Sequence, residues 1–228
     1  MASFSRKKII ILMLFCIMSI NKAFSQNSQS YFYDHEFEVS LPVNTGWSMD
    51  ISAGYRGLLQ ERLDGQKISG SRNEHLEINH FTNYRERKSL VLSLGLRYRF
   101  KELFDSSEVD EFRIIEQVKI DPVNSYLPFS HRFRLEQRFR EHLTHRLRYE
   151  LASSYAMSEA FSLGLSTEAL YAVSAHHKPE AEQRFSLGVE NSSFKDLELD
   201  LSFEYRMENY AVDLAHEFFI MTGVSLSF

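Results

Sequence analysis

Of the 228 residues only one is cysteine, four are proline and nine are glycine. Cys16 lies within an apolar amino-terminal run, so thiolate catalysis, zinc-thiolate sites and a disulfide framework are excluded for the chain beyond it. No small-residue cleavage site immediately precedes Cys16, which leaves a lipoprotein without its acceptor. Few prolines and glycines alongside 19 Phe and 11 Tyr argue against disorder and for strands. After residue 25 no apolar run approaches the roughly 20 residues that a membrane-spanning helix needs.

The amino terminus reads as an export signal. Arg6, Lys7 and Lys8 precede the apolar stretch Ile9 to Ile20, and Ala23-Phe24-Ser25 supplies a small-x-small cleavage site. Cleavage after Ser25 would remove four of the 26 basic residues and none of the 31 acidic ones. The remaining 22 against 31 give a formal charge of −9, which disfavours a nucleic-acid partner. Residues 26–228 suit one domain, with no composition shift to mark a boundary.

What the chain has is alternation. Phe218, Ile220, Thr222, Val224, Leu226 and Phe228 interleave with Glu217, Phe219, Met221, Gly223, Ser225 and Ser227. Leu90, Leu92, Leu94, Leu96, Tyr98 and Phe100 interleave with Ser89, Val91, Ser93, Gly95, Arg97 and Arg99. A period of two places one set on each face of a strand. Eleven such segments follow one another from Tyr33, with aromatic ends such as Trp47 and Tyr55, and their lengths match a tilted membrane strand. The expected fold is an all-β, antiparallel up-and-down transmembrane barrel of about 10–12 strands. An even number is expected because both termini of a bacterial barrel face the periplasm, so eleven segments imply ten or twelve strands. Leu59 to Glu74, Lys101 to Asp110 and Asp121 to Ser130 read as loops, the last one long enough to hide a strand.

The polar faces define the candidate site. Arg97, Arg99, Arg113, Lys119, Arg132, Arg134, Arg138, Arg140, Arg146 and Arg148 form a basic wall on the fourth to seventh strands, interrupted by Glu136 and Glu150. Asp34, Glu36, Glu38, Asp50, Glu198, Asp200, Glu204 and Glu217 form an acidic wall across the closing seam, with Arg184 on the strand beside it. Two readings remain open: an ion-pair network that fills the lumen, or a transverse field that selects charged solutes. No metal site, cofactor or catalytic residue is assigned. His142, Thr144 and His145 fall in or near a turn and His176 and His177 in a loop, and sequence spacing cannot show a nucleophile-base pair on a barrel's outer wall.

The stretch His131-Arg132-Phe133-Arg134-Leu135-Glu136-Gln137-Arg138, the segment His145 to Glu150, the pair Gln183-Arg184 and the aromatic end resemble an uncharacterised exported family, domain of unknown function 2490. That resemblance implies an outer-membrane barrel and brings no activity. The sequence-based expectation is therefore a monomeric outer-membrane protein of a gram-negative-type bacterium. It would be structural or a narrow porin, with membrane lipid and the barrel-assembly machinery as partners. A soluble periplasmic lipocalin-like lipid carrier and an outer-membrane lipid hydrolase are the alternatives.

Overall fold

A computed structural model describes residues 28–101, 109–121 and 129–228. The export signal with Cys16, and most of the two segments read as loops at 101–110 and 121–130, lie outside the described residues.

Twelve strands follow in order: β1 Gln29–Asn44, β2 Trp47–Leu63, β3 Gln66–Ser69, β4 Arg72–Arg87, β5 Leu90–Phe100 and β6 Glu111–Ile120. Then come β7 Phe129–Phe139, β8 Leu143–Ala156, β9 Phe161–Ser174, β10 Glu180–Phe194, β11 Leu197–Glu208 and β12 Ala215–Ser227. Eleven of them close a barrel; β3 stands outside the ring, paired only with β2. All ring neighbours are antiparallel except the closing pair, in which β1 and β12 run parallel from Gln29↔His216 to Ser40↔Ser227.

This closure corrects the expected even count. An up-and-down ring of odd number brings its first and last strands together in the same direction, and parallel hydrogen bonding satisfies both edges. Leu59 to Glu74 is corrected as well. Asp64 (φ 50°) and Gly65 (φ 79°) form a two-residue turn with positive φ at both positions, and the flanking chain continues as β2, β3 and β4. The segment is a hairpin flap on one rim.

That rim also carries the connections 175–179 and 209–214. The opposite rim carries the tight turns, including 45–46, 88–89 and 195–196. At Gly95 the inward ring of Phe81 lies where a Cβ would be, 2.3 Å from its nearest atom, so the bare backbone there is the floor on which an aromatic rests.

Burial is inverted relative to a water-soluble protein. Leu94, Leu147, Leu165 and Phe203 point outward, each more than half exposed, whereas Glu111, Arg113, Glu136, Arg146, Arg148, Glu168 and Arg206 are buried inside. The main apolar interior cluster is Phe32, Leu58 and Phe219 with Met221 beside it, on the inner wall at the seam. Outside, aromatic rings gather toward both ends: Trp47, Tyr84, Tyr155 and Phe161 at the tight-turn rim, and Tyr98, Phe100, Phe112 and Phe139 at the other.

Candidate functional site: the charged lumen

Strand alternation sends every second side chain inward, and the register decides which of them meet. Glu136 on β7 stands opposite Arg146 on β8 and Ile115 on β6, and it is wholly buried. Four guanidinium groups surround it. Arg148 Nη1 donates to Glu136 Oε1 at 2.8 Å, while Arg113, Arg146 and Arg134 approach to 3.4, 3.5 and 3.7 Å. Guanidinium groups at this density compensate a carboxylate that is cut off from water.

From that centre a chain of ion pairs runs both ways round the wall. In one direction Arg148 bonds Glu168 on β9 at 2.5 Å, Arg184 bonds Glu182 on β10 at 2.7 Å, and Arg206 bonds Glu204 on β11 at 2.5 Å. In the other, Glu111 on β6 accepts from Arg113 and from Arg138, and Glu77 on β4 accepts from Arg99 at 2.7 Å with Arg97 at 3.3 Å. At the seam Glu217 on β12 stands opposite Arg206, 3.8 Å from its Nη1. There the Phe219 ring lies between Arg206 and Arg56, 3.7 Å from the Arg206 guanidinium carbon and 4.7 Å from that of Arg56. Arg56 in turn bonds Asp34 at 2.6 Å.

The residues expected to face inward are distributed as follows. Asp34, Glu36, Glu38, Arg97, Arg99, Arg113, Arg132, Arg134, Arg138, Arg146, Arg148, Glu150, Arg184, Asp200 and Glu204 line a common cavity of about 550 Å³. Glu136 is buried in the girdle, and Asp50 and Glu198 share the inward parity of β2 and β11 nearer the tight-turn rim. Lys119 is at an exposed edge beside Asp121, and Arg140 sits in the turn after β7 and not in the wall.

The expectation of two segregated walls needs correction. Glu77, Glu111, Glu168 and Glu182 interleave with the arginines and neutralise most of the basic arc. Glu77 and Glu168 meet arginines of neighbouring strands at a register that alternation leaves open, whereas Glu111 and Glu182 stand two residues before Arg113 and Arg184 on the same inward face. Segregation survives at the seam. Glu36 is held by Ser52 at 2.6 Å and Asn79 at 3.4 Å, Asp50 by Ser40 and Asn83, and Asp200 by Ser202 at 3.2 Å. None of the three has a cationic partner among the described residues.

The outer wall offers two histidine-threonine pairs, His35 Nδ1 with Thr222 Oγ1 at 2.5 Å and His80 Nε2 with Thr82 Oγ1 at 3.1 Å. Among the described residues no carboxylate or amide side chain orients either ring, so the third member of a hydrolytic triad is missing. His142 stacks on His176 at 4.0 Å between ring centroids with His177 at 5.9 Å, yet no group of three or more ligating residues suited to a metal occurs among the described residues. The lipocalin-like alternative needs an apolar interior, and this lumen is charged.

Fold and lumen together define a closed β-barrel with a charged interior and an apolar exterior. The model of a family described as protein of unknown function, DUF2490, matches residues 31–215, and the chain belongs to that family. No curated protein matches the sequence.

Proposed function

We propose that the protein is an integral outer-membrane barrel, a structural membrane protein or narrow porin-like conduit whose lumen is constricted by the ion-pair girdle. The observation that carries this reading is the inversion of burial. A wall presenting Leu92, Leu94, Leu96, Leu147, Leu165, Leu187, Leu201 and Phe203 to its surroundings, over a lumen of paired charges, is unfavourable in water and favourable in hydrocarbon. Closure of all ring edges meets the requirement that no backbone donor or acceptor be left unpaired in lipid. The two aromatic zones fit the two membrane interfaces. Outer-membrane lipid and the barrel-assembly machinery are the partners that this reading requires.

The girdle supports a constricted lumen over a wide diffusion pore, because arginine and glutamate side chains project inward from an eleven-strand ring and are held there by ion pairs within and between neighbouring strands. The test is extraction from the outer-membrane fraction, gel mobility with and without boiling, and conductance in planar bilayers. A heat-dependent mobility shift with small or absent conductance is expected. A water-soluble chain with no shift would overturn the membrane assignment, and a conductance typical of wide general porins would overturn the constriction.

A further inference from the structure

The cavity at the centre of the lumen has unspent charge of opposite sign on opposite walls. Every arginine along the girdle except Arg134 has a carboxylate oxygen within 3.5 Å. Arg134 directs Nε and Nη2 to the neutral amide oxygen of Gln117, at 3.0 and 2.6 Å, and its closest carboxylate is Glu136 at 3.7 Å. Glu136 is already engaged by Arg148, Arg113 and Arg146, each of which also has a second carboxylate, whereas Arg134 has none. Nη1 of Arg134 therefore retains donor capacity toward the cavity that its side chain lines.

Glu36, Glu38 and Asp200 line the same cavity and have the complementary deficit. Glu36 and Asp200 are hydrogen-bonded to hydroxyls and an amide, and Glu38 shares the inward face of Glu36 and lies in register, through Ser225, with Glu198, both acidic. In the eleven-strand ring, β7 lies five steps from β1 in one direction and six in the other, so Arg134 and the Glu36–Glu38 pair face each other across the lumen. Charges held this way in a confined space are compensated by what occupies it or, on the carboxylates, by a proton. A single-charged ion satisfies one wall and is repelled by, or leaves bare, the other. A solute that carries both signs satisfies both at once.

We propose that the lumen cavity is a binding site for a small zwitterionic solute, its anionic group on Arg134 and its ammonium group on Glu36 and Glu38. Its volume, about 550 Å³, is in the range of small-molecule sites. The inference rests on the barrel reading only for the solute's route of entry. Binding itself requires only the folded lumen.

The experiment is equilibrium dialysis of the full chain, folded in detergent, against four radiolabelled probes of similar size. These are glycylglycine with both charges, N-acetylglycine with the carboxylate alone, glycinamide with the ammonium alone, and N-acetylglycinamide with neither. Glycylglycine is expected to bind about tenfold more tightly than either singly charged probe, the size of one charge-assisted hydrogen bond. Arg134→Gln should weaken glycylglycine and N-acetylglycine while sparing glycinamide, and Glu38→Gln should weaken glycylglycine and glycinamide while sparing N-acetylglycine. Glu38 lies toward the rim and outside the girdle, so that variant carries the test even if Arg134→Gln does not fold. Equal retention of glycylglycine and N-acetylglycinamide, or indifference of glycylglycine to both substitutions, overturns the site. The gel-shift assay on the same preparations separates the two readings: a shift without probe binding removes this site and leaves the barrel, and binding without a shift supports the site and removes the membrane.

Discussion

Glu136 Oε1 and Arg148 Nη1 meet at 2.8 Å, and this carboxylate is the most deeply buried charged group of the lumen. Arg148 also bonds Glu168, so the pair joins the two arcs of the girdle. Replacing Glu136 with Ala leaves Arg113, Arg134 and Arg146 facing one another with their shared counter-charge gone. A loss of about 3–5 kcal/mol is expected, the range for removing one partner of a buried ion pair. Denaturant unfolding in detergent measures it, with Glu150→Ala, whose carboxylate is nearer the rim and bonds Arg132 alone, as a control that should cost much less.

Phe219 joins the seam by three contacts: it stacks on Phe32 at 4.8 Å and receives Arg56 and Arg206 on its ring. Phe219→Ala should cost about 3–5 kcal/mol, as for other buried aromatics. Because the loss falls on the parallel pair, the variant is expected to expose the β1 backbone first. Amide exchange on Phe32 to Phe37 should then accelerate more than exchange on β5 to β8. Uniform acceleration would show that the seam does not open separately.

The Phe81 ring occupies the place of a side chain at Gly95. Gly95→Ala forces the ring away and should destabilise the barrel by about 1–3 kcal/mol, the usual cost of overpacking. Combining it with Phe81→Ala should recover much of that loss in a double-mutant cycle. Additive effects would mean that the two residues do not share the space.

Leu94 lies outward at mid-strand and is 54 % exposed. Leu94→Arg separates lipid from water on that face: about 2–4 kcal/mol is lost at a bilayer midplane, and close to nothing on a hydrated surface. Refolding yield and unfolding midpoint in lipid vesicles report the difference, and an unchanged midpoint there counts against the membrane assignment.

Most of this architecture is legible as a period of two. The run Leu90 to Phe100 fixes which residues of β5 share a face, and parity alone places Arg132, Arg134 and Arg138 together on β7. Where the pattern falters, the cause is local. Leu59 to Glu74 lacks alternation because the flap projects from the rim, with most of its side chains exposed on either face. Its legible signal is the Asp64-Gly65 dipeptide, which specifies a tight hairpin.

At β4 His80 and Phe81 blur the faces because an outward histidine bonds Thr82 and an inward phenylalanine covers Gly95. Phe219 shares a face with glutamate and glycine in the sequence, which gives no sign that two arginines from β2 and β11 will close over it. Pairing between strands is what alternation leaves undetermined. The contacts of Glu77 and Glu168 and the isolation of Arg134 both depend on it.

The parallel seam has one more effect. The His216 amide bonds Ser28 O at the flap rim, and the Phe228 amide bonds Ser40 O beside the tight turns, so residues 28 and 228 emerge at opposite openings. If the barrel spans the bilayer of a sealed vesicle, a protease site or epitope placed ahead of Ser28 and another placed after Phe228 sit in different compartments. A probe added from outside would reach one and miss the other, and the pair would give the barrel's orientation without any knowledge of its cargo.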